Sequence, residues 1–238
     1  MRITSHKSLH QLTFVPRAFP LNCYLVEREN SVILVDAGMP FCGKGIVRAA
    51  QDMDKPISHI VLTHGHQDHM GSVPIIKKQF PDAKICISKR DSALLEGDMS
   101  PREGESNNPI KGSIKPGLII ESENLLNDGD EVAGLHIISV PGHTPGSIAV
   151  YDEPSKALLC GDIFVSKGRF RLSGDTYPLF PFPDTATWDI KTSVVNAEKL
   201  LVLDIEILGT GHGNMVSNPI NDMKQAIDRV KESSHAAK

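Results

Sequence analysis

The sequence predicts an α/β protein in which two sheets pack face to face with helices outside. The chain has 238 residues, of which 40% are hydrophobic and 23% charged, as in an ordinary globular protein. Short runs rich in β-branched and aromatic residues alternate with segments of helical periodicity. Because no repeat, linker or change in composition interrupts that alternation, we expect a single domain, 1–238.

The first half of the chain is expected to begin with an antiparallel strand series and to continue in β-α-β-α-β order. Pro16, Pro20 and a polar turn separate the first strands. The predicted strands are 11–15, 22–27, 31–36, 57–63 and 83–88, and the predicted helices are 45–53 and 71–80. Residues 96–117 contain three Pro and four Gly without periodicity, which predicts a long loop and a candidate wall of an active site.

The second half is expected to open with strands and to end with two helices. The predicted strands lie within 131–140, at 147–151, at 157–160 and at 205–208, and a second irregular stretch covers 163–184. One helix has apolar residues at Ile190, Val194, Ala197 and Leu201. The last helix has Asn218 as its N-cap and Pro219 at its first position.

The composition limits the classes of binding partner and the cellular compartment that we expect for this protein. The net charge of −4 disfavours nucleic acid, which needs a concentrated basic face. The four cysteines show no C-x-x-C spacing, which is typical of reduced thiols and predicts a cytoplasmic protein. No apolar stretch approaches the ~20 residues that span a bilayer, so no membrane role is expected.

The most informative segment follows the buried strand predicted at 57–63. His64, His66, Asp68 and His69 lie within six positions there. Imidazole and carboxylate groups are the usual zinc ligands. His64 and His66 can face one ion from extended backbone, whereas Asp68 and His69 come after the chain turns toward a helix. This spacing favours two metals over one.

Three later residues of ligand type have the same setting. His143, Asp162 and His212 each follow a predicted strand and have glycine neighbours that permit tight loops. Because strand ends at one edge of a sheet can converge, we expect these side chains to meet around a metal.

The H-x-H-x-D-H run, the His in G-H-T-x-G, the Asp in G-D and the His in G-H-G together resemble the metal-site pattern of the metallo-β-lactamase superfamily. The resemblance covers about residues 20–230, and all seven positions match. It implies an αββα sandwich of two mixed sheets with helices outside, and two divalent metal ions per chain, expected to be Zn2+. It assigns His64, His66 and His143 to one metal, Asp68, His69 and His212 to the other, and Asp162 to both.

The resemblance implies a metal-dependent hydrolase in which a bridging hydroxide cleaves an ester, thioester or lactone of a small molecule. Asp68 is the expected catalytic residue, because it can orient the hydroxide. True β-lactamases of this fold lack the bridging aspartate, so Asp162 favours the branch of glyoxalase II and the lactonases. Lactonases carry a Tyr after that aspartate, whereas this chain has Ile163, and Tyr177 is a candidate replacement.

Substrate contacts are expected after Asp162. Lys167, Arg169 and Arg171 form a basic cluster that either holds an anionic group of the substrate or is a solvated loop. Tyr177, with the phenylalanines at 180 and 182, either lines an apolar pocket or belongs to a lid that rests on the core. A homodimer is expected by analogy alone.

Three other functions stay open at this point. They are a phosphodiester hydrolase, a mononuclear iron enzyme that oxidises persulfides, and a metal-stabilised binding protein without catalysis. One iron per chain would favour the second, and an absence of turnover on any activated ester would favour the third.

Overall fold

The computed structural model describes residues 1–115 and 124–236. Seven strands form the first sheet and lie side by side in chain order. They are β1 (Arg2–His6), β2 (Leu9–Phe14), β3 (Leu21–Glu27), β4 (Val32–Val35), β5 (Ile57–Val61), β6 (Lys84–Ser88) and β7 (Asn124–Leu126). Short turns make β1 to β4 antiparallel, whereas longer crossovers make β4 to β7 parallel.

The crossovers of the first half carry short helices. These are α1 (Gly43–Asp52), α2 (Gln67–Met70), α3 (Val73–Gln79) and α4 (Lys89–Leu95). Ser88 begins α4, because its hydroxyl accepts a hydrogen bond from the backbone N–H of Asp91.

Six strands form the second sheet, in the order β15-β14-β11-β10-β9-β8. They are β8 (Glu131–Val132), β9 (Leu135–Ser139), β10 (Ile148–Asp152), β11 (Ala157–Leu159), β14 (Ile207–Gly209) and β15 (Val216–Ser217). A separate pair consists of β12 (Phe164–Val165) and β13 (Arg171–Leu172). The helices of this half are α5 (Phe182–Thr185), α6 (Ile190–Lys199) and α7 (Ile220–Ala236).

Three hydrophobic layers stabilise this arrangement. The central layer joins the two sheets, with Tyr24 and Val26 of β3 on one side and Ile148 and Val150 of β10 on the other. Leu25 points the opposite way into a layer shared with α1 and α3, because successive strand side chains alternate between faces. A third layer lies between the second sheet and the helices α6 and α7. The predicted αββα sandwich is therefore confirmed.

The differences from the sequence prediction have local causes. β1 was not predicted, since its residues are mostly exposed and show no apolar pattern. The helix predicted at 71–80 is observed as α3, while the short helix α2, which ends before Gly71, and α4 were not predicted. Ile190 is partly exposed at the start of α6, so the apolar face of that helix is shorter than expected.

The two irregular stretches differ from each other. Residues 96–115 contain no helix or strand, as predicted, while residues 116 and 117 of that loop lie outside the described ranges. The stretch 163–184 contains β12, β13 and the start of α5. Among the described residues, no helix combines the length and apolar character needed to cross a membrane. A single domain stays a prediction.

Candidate metal centre

The seven predicted ligands lie in the segments that follow β5, β9, β11 and β14, with Asp68 and His69 in the short helix α2. His64, His66 and His143 form one buried group. Nδ1 of His66 lies 3.1 Å from Nε2 of His64 and 3.0 Å from Nε2 of His143. Three ring nitrogens from two sequence segments therefore converge on one point.

Asp68, His69, Asp162 and His212 form the second group. Nε2 of His212 lies 3.3 Å from Asp162 and 3.5 Å from Asp68, and Nε2 of His69 lies 3.5 Å from Asp162. The other carboxylate contact of Asp162 reaches back to the first group, 3.6 Å from Nε2 of His143. Asp162 thus lies between the two groups.

A buried network holds the rings of His64 and His69. Asp36 accepts from Nδ1 of His69 at 2.8 Å and from the hydroxyl of Thr63 at 2.8 Å. Because that hydroxyl donates to Asp36, it accepts from Nδ1 of His64, 3.0 Å away. In the neutral tautomer that these hydrogen bonds select, each ring directs the lone pair of Nε2 toward the centre.

The other three rings are held by protein oxygens. Nε2 of His66 donates to the carbonyl of Lys111, and Nδ1 of His212 donates to the carbonyl of Pro20. Nδ1 of His143 donates to the hydroxyl of Thr187, which itself donates to a backbone carbonyl. Metal-binding histidines in proteins characteristically have their second nitrogen held in this way, which fixes the tautomer and the ring orientation.

The arrangement fits a cation. The anchored tautomers leave the facing nitrogens of His64, His66 and His143 as lone pairs about 3 Å apart, which repel one another unless a positive charge lies between them. In the second group, Nε2 of His69 and Oδ1 of Asp162 are buried and have no hydrogen-bond partner among the described residues. Such atoms are costly to bury unless they bind something.

The electrostatics of the two groups differ. Burial and the neighbouring imidazole of His66 lower the pKa of His143 to about 3, and burial also holds the pKa of His64 well below its usual value. Burial disfavours the charged form of His212 as well, but the carboxylates of Asp162 and Asp68 outweigh it and raise the pKa of His212 to about 10. His64 and His143 are therefore neutral near pH 7. In the second group, burial also disfavours the charged form of His69, but the carboxylates of Asp36 and Asp162 hold its pKa well above the usual value.

Asp91, at the start of α4, joins the loops that carry the first group. Its buried carboxylate accepts hydrogen bonds from the backbone N–H of Gly65 and of Gly146, each at 2.8 Å, and from the hydroxyl of Thr144 at 2.8 Å. The loop of Gly65 carries His64, and the loop of Thr144 and Gly146 carries the third histidine of the group, at position 143. Asp91 therefore sets the distance between them.

Close packing at the second group requires a glycine. A Cβ at Gly211 would lie 2.1 Å from Oδ1 of Asp162 and 2.6 Å from Cε1 of His69. The G-H-G motif therefore lets the backbone approach the ligands closely. Gly65 has no comparable contact, since a Cβ there would meet its neighbours at ordinary distances.

A cavity of about 400 Å³ opens onto these ligands. Its polar end consists of His66, Asp68, Asp162 and His212, and Ser113 contributes from the loop predicted as a wall. Most of the remaining lining is apolar. The residues are Val15, Phe19, Leu21, Met39, Phe41, Phe182, Pro183 and Ala186.

The predicted substrate contacts do not line this cavity. Arg171 is fully buried, and its guanidinium pairs with Asp184 and donates to the backbone carbonyls of Lys167, Arg169 and Phe180. Each of its three nitrogens already has an acceptor, which disfavours the predicted substrate-binding role of Arg171. Its ion pair instead holds the loop between β13 and α5.

The other members of the basic cluster also lie elsewhere. Lys167 donates to the carbonyl of Arg17, and Arg169 pairs with Asp175 at the surface. Tyr177 packs against the Arg171 guanidinium rather than into the cavity. Of the aromatic residues in this stretch, Phe182 does line the cavity.

Sequence reasoning missed Asp36 and Asp91. Asp36 is the last residue of the strand predicted at 31–36 and directly follows the observed β4, which is the strand-end setting that identified the other site residues. Asp91 had no such signal, because it lies in a helix that the apolar pattern did not reveal.

Comparison with known proteins gives the family. The family model described as the metallo-beta-lactamase superfamily matches residues 16–212. The chain is 43% identical to the uncharacterized protein YobT of Bacillus subtilis over 98% of this chain and 100% of that protein. It is 30% identical to the probable metallo-hydrolase YflN of Bacillus subtilis, over 87% and 84%. It is 33% identical to a hydroxyacylglutathione hydrolase of Aeromonas salmonicida, over 63% of this chain and 48% of that enzyme.

Solved structures agree on the fold. TTHA1623, in a di-iron-bound form, has a TM-score of 0.63 at 26% identity and covers 89% of this chain and 96% of its own. The metallo-beta-lactamase DIM-1 has a TM-score of 0.72 at 16% identity, over 96% and 97%. The matched residues include all seven predicted ligands, and the chain belongs to the metallo-beta-lactamase superfamily.

Proposed function

We propose that this protein is a metal-dependent hydrolase that cleaves the ester, thioester or lactone bond of a small molecule. The observation that carries the proposal is that two groups of ligand-type residues, with Asp162 between them, adjoin one cavity, which members of both groups line. Membership of a superfamily of metallo-hydrolases supports hydrolysis, and the relative named hydroxyacylglutathione hydrolase supports an acyl bond.

The residues suit two divalent ions. His64, His66 and His143 would hold one, and Asp68, His69 and His212 the other, with Asp162 shared. When bound, such a pair lowers the pKa of a shared water toward ~7 and polarises the scissile carbonyl. Zn2+ is the proposed metal, because the ligand groups at this site are imidazoles and carboxylates, which zinc commonly binds in proteins.

Asp68 is the proposed catalytic residue. Its side chain lines the cavity and is 23% exposed, whereas Asp162 is almost fully buried. Although burial opposes ionisation, the hydrogen bond with His212 holds the pKa of Asp68 well below its usual value. The carboxylate therefore stays an acceptor at neutral pH, which suits it to orient the attacking water toward a carbonyl in the cavity.

The complete second ligand group favours hydrolysis over mononuclear iron chemistry, which needs one metal. Phosphodiester cleavage is less favoured, because neither Lys nor Arg is among the described residues that line the cavity.

The test pairs metal content with turnover. Protein purified without added metal is analysed for metals and assayed on a panel of small esters, thioesters and lactones. We expect close to two zinc-type ions per chain and hydrolysis of at least one class. Asp162→Ala should lose metal and nearly all activity, while Asp204→Ala, at an exposed aspartate, should retain both. A single iron with oxygen uptake, or normal metal content and rate in Asp162→Ala, would overturn the proposal.

A further inference from the structure

The cavity has two chemically different kinds of lining. Ligand-type side chains form one part of it, and apolar residues, including Val15, Phe19, Phe41 and Phe182, form the other. A molecule that fills this space places its reacting group among the ligands and the rest of its length against hydrocarbon. Ligand sites in proteins commonly have this composition, with a few polar groups at one end of an apolar cavity.

Several lining residues are exposed although they are large and apolar. Phe41 is 60% exposed, Phe182 is 57% exposed and Val15 is 44% exposed. All three line the same cavity. A cluster of exposed apolar side chains around one opening marks a surface that binds something apolar.

The aromatic residues of the apolar wall pack against one another. The ring of Phe19 lies 5.2 Å from that of Phe182 and 5.1 Å from that of Phe180. Phe19 also lies 5.1 Å from the ring of His212. The apolar wall and the metal-binding end are therefore in direct contact, so an occupant of one adjoins the other.

The charges disfavour an anionic substrate. Among the described residues, those that line the cavity include the carboxylates Asp68 and Asp162 but no Lys or Arg. The two arginines of the predicted basic cluster form ion pairs away from the cavity lining, Arg169 with Asp175 and Arg171 with Asp184. A negatively charged group in the apolar part would lose hydration without gaining a counterion.

We infer that the substrate is an uncharged ester, thioester or lactone that carries a hydrocarbon chain, and that this chain lies against Phe41, Phe182 and Val15. The inference rests on the proposed function and adds the substrate class. The hydrocarbon belongs to either the acyl or the alcohol side of the bond, and the two sides are separated by experiment.

The test uses metal-loaded full-length protein and two substrate series. One series varies the acyl chain from acetate through butyrate and hexanoate to octanoate with a common leaving group. The other keeps an acetyl group and lengthens the alcohol. We expect kcat/KM to rise along one series by up to about fourfold for each added CH2, because that is the gain in binding expected when one CH2 is transferred from water to an apolar site. A succinyl ester, which ends in a carboxylate, should react at least about tenfold more slowly than the hexanoyl ester.

Substitutions in the apolar lining test where the hydrocarbon chain of the substrate lies. Phe41→Ala and Phe182→Ala should each lower the ratio of octanoate to acetate kcat/KM by about tenfold. Leu179→Ala is the matched control, because Leu179 is 82% exposed in the loop that leads to Phe182 and α5 but does not line the cavity. It should leave the ratio unchanged.

The outcomes separate the two proposals. If no ester, thioester or lactone is hydrolysed, the proposed function fails. If hydrolysis occurs without dependence on chain length in either series, or if the succinyl ester is preferred, the function stands and the apolar substrate class is wrong. An unchanged ratio in both phenylalanine variants would also overturn the assigned position of the chain.

Discussion

Oδ2 of Asp36 lies 2.8 Å from Nδ1 of His69, and neither side chain has appreciable solvent exposure. The same carboxylate accepts hydrogen bonds from the backbone N–H and the hydroxyl of Thr63, and that hydroxyl accepts from His64. One buried carboxylate therefore orients a histidine in each ligand group.

Replacing Asp36 by Asn should weaken metal binding while the backbone is preserved. Asp36 has a φ of 60°, which asparagine tolerates. The amide has one oxygen in place of two, so it cannot accept all the hydrogen bonds that the carboxylate accepts. We expect the affinity for metal to fall by about 10–100-fold. Titration against a chelating dye measures this, with Asp204→Asn as the control, and an unchanged affinity would contradict the orienting role.

Asp91 should affect the first ligand group more than the second. Asp91→Ala removes the acceptor shared by Gly65, Gly146 and Thr144, and leaves buried N–H groups without partners. Each such group costs about 1–3 kcal/mol. We expect lower stability and, in the folded protein, a selective loss of the metal held by His64, His66 and His143. The exposed Asp98→Ala is the control for stability.

Site-resolved titration of the Asp91→Ala protein, with circular dichroism to confirm folding, measures that selectivity. Equal losses at both sites would show that Asp91 supports the fold in general rather than the spacing of these loops.

Metal binding to the second group should strengthen as the pH rises. His212 is protonated in the metal-free protein until the pH approaches its pKa of about 10, and a metal must displace that proton. The affinity should rise by up to about tenfold per pH unit below this value. Proton release per metal ion bound, measured with a pH indicator at saturating metal, should fall in Asp162→Asn, which removes a charge that raises the pKa of His212. Equal release from both proteins would contradict this account.

The same pKa shift determines the sign of a stability effect in the metal-free protein. The pKa of His212 is raised on folding, so the stabilisation from its protonated form is complete below the usual value of 6.5. It is lost as the pH rises through about 10. Removing metal should therefore reduce stability more at high pH than near neutrality.

Arg171 and Arg169 should differ sharply when substituted. Arg171→Ala leaves the buried carboxylate of Asp184 without its counterion and should cost about 3–5 kcal/mol of unfolding free energy. Arg169→Ala breaks a surface ion pair and should cost less than about 1 kcal/mol. Chemical denaturation measures both. Arg169 does not line the cavity, so we expect no change in KM. A raised KM in Arg169→Ala, with unchanged stability, would show that Arg169 contacts the substrate after all.

Much of the architecture was predictable because apolar periodicity and turn residues act locally. The strand that precedes His64 places Ile57, Ile60 and Val61 in the core, and the last helix places Met223, Ile227 and Val230 there, as their patterns predict. The edge strand β1 was not predicted, because its exposed side chains show no apolar pattern and the strand is held by backbone pairing with β2.

The sequence by itself determined the αββα fold and the seven residues of ligand type, because these depend on side-chain chemistry and on positions after strands. Only the tertiary structure decided which polar groups surround them. Asp36 and Asp91 act across long separations in the chain, and Arg171, which a basic cluster in sequence suggested for the substrate, is instead buried with Asp184. Packing decides such roles, since burial and partner choice depend on residues that are distant in sequence but adjacent in space.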